Sequence, residues 1–137
     1  MLFRSATGRR VVLFTGDGSF GMNLSELATA VTQAIPVVIV VMNNGVLGMV
    51  RQWQTLFYDK HYSNTTFDRK TDFVKVAEAF GAKGCHATTA EELKKAADEA
   101  FSSSVPFVID CAVDCDELVL PMLPPNGTVD DIITEIK

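Results

Sequence analysis

The turn Gly16-Asp17-Gly18-Ser19-Phe20-Gly21 follows the β-prone run Val11-Val12-Leu13-Phe14 and holds residue types that can handle a phosphorylated ligand. Literally it is the glycine pattern of dinucleotide-binding turns, in which glycines let the backbone approach a pyrophosphate. Two features tell against a bare dinucleotide. Asn43 and Asn44 stand where that pattern needs an acidic residue for the ribose hydroxyls. Asp17 would also face the pyrophosphate, and like charges about 4 Å apart near a surface repel by roughly 4 kcal/mol. A divalent cation between them reverses the sign. Mg2+ takes near-octahedral oxygen coordination, typically one or two carboxylates plus ligand phosphates. Asp17 supplies the charge, and an asparagine at the next strand end supplies a neutral oxygen. The turn therefore fits a cation-bridged diphosphate; a non-catalytic Rossmann-type module that binds NAD without Mg2+ is the alternative.

These residues need a scaffold that brings two strand ends together, and the patterning predicts one. Pro36 to Met42 has no polar alternation, as expected of a strand covered on both faces of a parallel sheet. Val105–Val113 and the weaker Ala82–Ala87 are further strands. Asn23-x-x-Glu26 reads as a capping box opening a helix with Leu24, Leu27, Ala28 and Val31, which makes Glu26 a capping residue. A second helix starts beyond Gly45. A third spans Asp72–Phe80, stopped by Gly81. Thr89-x-x-Glu92 caps a fourth, with Leu93, Ala96, Ala97, Ala100 and Phe101 inward. Thr128 caps a last one carrying Val129, Ile132, Ile133 and Ile136. Residues 58–70 are polar and irregular. Strands alternating with helices predict an α/β fold: an open, mostly parallel sheet with helices on both faces and ligands at the carboxyl ends of its strands.

Composition sets the outer bounds. A chain of 137 residues with 47% hydrophobic and 21% charged residues is a folded single domain, not a disordered one. Twelve Lys+Arg against 17 Asp+Glu, a net charge of −5, exclude the basic footprint of a nucleic-acid surface. The longest apolar run is about a third of a membrane span, so no membrane partner is expected. No secretory pattern opens the chain, and a cytoplasmic location is expected. Cys85, Cys111 and Cys115, even with His86, lack a fourth ligand at zinc-site spacing, so reduced thiols are expected. His61 reads as solvated, His86 has no partner motif, and Glu91, Glu92, Asp98 and Glu99 read as a solvated face.

Gly16-Asp17-Gly18, with Asn44 of an Asn-Asn pair 27 residues after Asp17, resembles the motif of thiamine diphosphate-dependent enzymes. The resemblance implies Mg2+ held by the side chains of Asp17 and Asn44 and the backbone carbonyl of Val46. Gly18 and Ser19 would meet phosphate at the start of the following helix. The octet Leu47-Gly48-Met49-Val50-Arg51-Gln52-Trp53-Gln54 and the stretch Leu120–Pro125 are similar to acetolactate (acetohydroxyacid) synthase large catalytic subunits. That narrower resemblance covers nearly all of residues 9–137 and extends the cofactor contacts to Gly16, Leu47, Gly48 and Met49. Met49 and Trp53, one helical turn apart, would line the substrate pocket, with the tryptophan favouring 2-ketobutyrate over pyruvate. Val50, Leu56 and Phe57 read instead as an ordinary apolar helix stripe.

The same resemblance implies that residues 1–137 are part of a C-terminal thiamine diphosphate- and Mg2+-binding domain, residues 1–8 being linker or scar. The essential glutamate and the FAD-binding domain belong to parts not in this sequence. No catalytic residue is therefore expected within the chain, and the chain alone should be inactive. The implied activity is decarboxylation of pyruvate followed by condensation with a second 2-keto acid, on the path to branched-chain amino acids. Homo-oligomerisation through an N-terminal domain and a regulatory small subunit are implied partners. Other enzymes of the same cofactor, a pyruvate oxidase or a 2-keto acid decarboxylase, are the alternatives within the class.

Overall fold

The computed structural model of the chain describes residues 8–67 and 71–135. Residues 1–7 and Ile136 of the sequence-based expectations lie outside them. In chain order the elements are β1 (Val12–Gly16), α1 (Asp17–Met22), α2 (Glu26–Thr32), β2 (Val38–Asn43), α3 (Gly48–Phe57), α4 (Phe73–Ala79), β3 (Lys83–Ala87), α5 (Ala90–Ser102) and β4 (Phe107–Ala112), then a single 3-10 turn at Val129–Asp131. They form two compact units. Residues 8–45 with 71–113 make the first, and residues 46–67 with 114–135 the second.

The first unit is an open parallel sheet in the order β1-β2-β4-β3. Val38 to Val41 are all buried, as an uninterrupted apolar strand between two neighbours must be. One face of the sheet packs Ile39, Val41 and Val108 against Phe20, Leu27, Phe73 and Ala77 from α1, α2 and α4. The other packs Val38, Val40, Phe107 and Ile109 against Ala96 and Ala100 of α5. Helices thus lie on both faces, as expected. β1 is an edge strand, and its Leu13 and Phe14 are 48% and 69% exposed.

Local chemistry explains most helix ends. Asp72 caps α4, its Oδ1 accepting from the backbone N–H groups of Val74 and Lys75, and Gly81 ends the segment at φ +88°. Thr89 accepts from the Glu92 N–H, while the Glu92 carboxylate turns back to accept from Thr88. The capping box expected at Asn23 and Glu26 does not form. The chain enters α1 directly at Asp17, so Asn23 ends that helix, and α2 starts from Ser25 without a side-chain cap. The expected C-terminal helix is also absent. Thr128 and Asp131 do make a capping box, but only one 3-10 turn follows, and Ile133 pairs with Met122 as an isolated antiparallel bridge. Ile132 is already extended, at φ −60° and ψ 125°, and the backbone of Ile133 is committed to Met122, so the helix does not propagate past Asp131. Phe101, expected to point inward, is 51% exposed: α5 turns Ala96 and Ala100, with partly buried Leu93, to the sheet and leaves Phe101 off that face.

Arg10 joins the start of β1 to two distant segments. Its Nη1 donates to the carbonyls of Pro36 at 3.0 Å and Ser103 at 2.7 Å, and Nη2 donates to Phe101 at 2.9 Å. The last two carbonyls belong to the C-terminal end of α5, where a cation also meets the helix dipole. Arg10→Ala should lower unfolding free energy by about 2 kcal/mol, read from denaturant melts, because three carbonyls lose a charged donor.

In the second unit α3 does not bury an apolar stripe. Its one buried residue is Gln52, whose Nε2 donates to the Val119 carbonyl at 3.1 Å and to Met122 Sδ at 3.0 Å, while its Oε1 accepts from the Val119 N–H at 2.8 Å. Arg51 pairs with Asp116 at 2.7 Å and lies 4.0 Å over the Tyr62 ring. Val50 and Phe57, expected to form an ordinary apolar helix stripe, are 47% and 38% exposed. Their spacing marks a shared face, but both side chains stay largely accessible on it.

Candidate functional site

β1 and β2 run parallel with Gly16 opposite Met42, so Asp17 and Asn43 each follow one member of the last paired position at the carboxyl end of the sheet. Asp17 is 3% exposed and opens α1. A carboxylate is seldom that buried unless it is paired or set to meet a cation. The turn after β2 continues through half-buried Asn44 to Gly45, whose φ of +68° suits glycine. Gly16 needs no glycine for its own backbone, which is extended at φ −83°, and a Cβ there would meet nothing within 4 Å. The glycine thus leaves open space beside a buried carboxylate at the carboxyl end of the sheet. Such a cradle suits a diphosphate with a hard cation, since carboxylate and amide oxygens are its preferred donors. Gly18 is half-buried and Ser19 exposed in the first turn of α1.

Within the second unit, Val46 is buried and bridged to Thr66, and the Leu47 N–H donates to the Thr65 carbonyl at 2.7 Å. Gly48 opens α3. Met49 and Trp53 share a face of that helix, and with Val50, Gln54 and Tyr58 they line a cavity of about 430 Å3. Trp53 also packs edge-on against Phe57, with ring centroids 5.7 Å apart. Both residues are accessible, Met49 52% and Trp53 37% exposed.

One polar network was not legible in the sequence. Asp110 of β4 is 8% exposed, and both its oxygens are engaged. Oδ1 accepts from Asn43 Nδ2 at 2.9 Å, and Oδ2 lies 3.2 Å from His86 Nδ1 on β3. His86 Nε2 in turn lies 3.6 Å from Asp72. Only the pairing of His86 with Asp110 across β3 and β4 brings these residues together. The available signal was a lone aspartate inside the apolar run Val105–Val113.

His61 is exposed, as expected, with Nδ1 2.9 Å from the Tyr58 carbonyl. All three cysteines are free. Burial pushes the thiols of Cys85 and Cys111 up from their ordinary range, so both should react slowly with Ellman's reagent at pH 8 and rapidly once urea unfolds the chain. Cys115 sits with Asp114 and Asp116 in the one group of three metal-capable side chains among the described residues, but Asp116 there is paired with Arg51.

Residues 2–111 match the family model of the thiamine pyrophosphate (thiamine diphosphate) enzyme C-terminal binding domain. The chain belongs to this family. The thiamine diphosphate-binding domain is 42% identical over 127 residues, 93% of this chain, to the probable acetolactate synthase large subunit of Methanocaldococcus jannaschii, and covers 21% of that protein. It is 39% identical over 127 residues to the acetolactate synthase isozyme 2 large subunit of Escherichia coli, covering 93% of this chain and 23% of that subunit. Among solved structures, benzoylformate decarboxylase from Polynucleobacter necessarius superposes with a TM-score of 0.77 at 30% identity, over 87% of this chain and 23% of the enzyme. The domain therefore spans between a fifth and a quarter of the length of these relatives. No helix among the described residues is long and apolar enough to cross a membrane.

Proposed function

We propose that this domain binds thiamine diphosphate through Mg2+ and belongs to an acetolactate synthase large subunit. Buried Asp17 at the carboxyl end of β1, beside the β2 end that carries Asn44, is the observation that best supports the metal-bridged site. Asp17 would give the cation its anionic oxygen and Asn44 a neutral one, with the backbone carbonyl of Val46, two residues further along the chain, as third ligand. Gly16 leaves room for a diphosphate oxygen, while Gly18 and Ser19 would contribute N–H and hydroxyl donors. Leu47, Gly48 and Met49 would complete the cofactor contacts. When bound, thiamine diphosphate supplies the electron sink that lets a 2-keto acid lose carbon dioxide. Met49 and Trp53 would shape the space for the second 2-keto acid, the indole favouring the longer 2-ketobutyrate by apolar contact.

The full-length subunit would take pyruvate and yield acetolactate or acetohydroxybutyrate. FAD, the proton-relaying glutamate and the homo-oligomer contacts would come from its other domains, a regulatory small subunit would be its partner, and it would work in the cytoplasm. Identity to two acetolactate synthase large subunits supports this activity. The decarboxylase neighbour favours a second reading, simple 2-keto acid decarboxylation. Incubating the full-length protein with pyruvate, 2-ketobutyrate, thiamine diphosphate, Mg2+ and FAD separates the two. Acetohydroxy acids are expected as products. Aldehyde and carbon dioxide alone would replace the synthase with a decarboxylase.

A further inference from the structure

We infer that Asp110 is a positioning residue for the Asn43–Asn44 turn, and that its hold on Asn43 sets how tightly the site takes its divalent cation. The inference rests on the reading of Asp17 and Asn44 as ligands. Asp110 lies two residues beyond Val108 on the same face of β4, a place where a covered parallel strand ordinarily carries another Val or Ile. A carboxylate there is costly to bury, and its geometry shows what it does. Its Oδ1 fixes the Asn43 side chain at 2.9 Å. The Val113 N–H fixes the Asn43 carbonyl at 3.0 Å. Asn43 is thus held at its side chain and its backbone, and the residue it hands the chain to is Asn44. The imidazole of His86 donates from Nδ1 to the other oxygen at 3.2 Å and keeps the carboxylate from rotating. Asp72 takes the far side of that ring while its own Oδ1 caps α4. The carboxyl ends of β2, β4 and β3 and the start of α4 are joined by one chain of polar contacts that ends next to a ligand. Groups in this relation to a metal orient its ligands and are commonly as consequential as many direct contacts.

Magnesium titrations of thiamine diphosphate binding, followed by calorimetry on the full-length protein, test this. Asp110→Ala and Asn43→Ala should each raise the Mg2+ concentration for half-saturation about 10–100-fold. Asp110→Asn should recover most of that loss, because its amide oxygen still accepts from Asn43. Half-saturation unchanged in Asn43→Ala and Asp110→Ala, with only the melting temperature lowered, would make Asp110 a structural residue and overturn the inference. If Asp110→Ala does not fold, Asn43→Ala on the half-buried end of β2 carries the same test alone. Asp17→Ala and Asn44→Ala serve as references. A normal Mg2+ dependence in those two would remove the metal-site reading itself, whereas a loss there with none in Asn43→Ala would remove only the role of Asp110.

Discussion

In an Asp17→Ala variant of the full-length protein, thiamine diphosphate binding should weaken at least about 100-fold and become indifferent to Mg2+. Groups that merely orient a metal ligand cost about 10–100-fold when removed, and a direct anionic ligand belongs at or beyond the upper end. The electrostatics carry the sign. Without a cation, Asp17 and a diphosphate repel at the strand end; with one, both are drawn to it, so the carboxylate contributes to affinity only through the metal. Asp17→Asn separates charge from shape. It keeps an oxygen donor and the side-chain volume at a position only 3% exposed, so the fold and melting temperature should be preserved while Mg2+ affinity falls. Adding a chelator to the wild type should weaken binding at least as far as Asp17→Ala does, because the carboxylate without its cation repels the diphosphate. Calorimetric titration with and without Mg2+ gives the answer directly, and wild-type affinity in Asp17→Ala would sink the metal-bridged site.

The placement of the candidate residues was legible in the sequence because they follow two strands with unambiguous patterns. Val38–Val41 is an apolar run flanked by Pro36 and the Asn-Asn-Gly turn, and a run of that kind has few places to go except the middle of a parallel sheet. Gly16-Asp17-Gly18 follows directly on its strand. Chemistry assembled across strands was not legible. His86 and Asp110 are 24 residues apart and meet only through the β3–β4 register, which periodicity does not specify. Helix ends failed where two signals competed. Asn23 and Glu26 have capping spacing, but α1 begins six residues earlier, at Asp17, and makes Asn23 a terminator. On α3 the apolar spacing named a stripe, with Val50 and Phe57 on it, without saying how far the stripe is buried, and both residues are exposed. A period identifies which residues share a surface; burial depends on what lies opposite.

Phe73→Ala should be the most destabilising single truncation on the α4 side of the sheet, at about 3–5 kcal/mol, because a fully buried aromatic leaves a cavity that its neighbours fill only partly. Phe73 is 1% exposed, and its ring centroid lies 5.5 Å from that of Phe20 at an interplanar angle of 59°. Phe20 is the buried apolar residue of α1 and sits three positions after Asp17, on the same side of that helix. The aromatic pair therefore anchors the short helix whose first residue is the proposed ligand. Against a typical domain stability of about 5–15 kcal/mol, the loss should lower the melting temperature by about 10 °C or more. Phe73→Leu, which keeps most of the volume, should cost far less. The coupling to the site gives a second readout. Saturating thiamine diphosphate with Mg2+ at about 100 times its dissociation constant stabilises a folded state by about 2.7 kcal/mol. If the Phe20–Phe73 contact holds Asp17 in place, that stabilisation should shrink in Phe73→Ala at the same ligand concentration, because the loosened helix weakens binding as well as folding. Thermal melts of both proteins with and without cofactor and metal measure the two effects together. An unchanged cofactor-induced shift would mean that α1 holds Asp17 without help from α4.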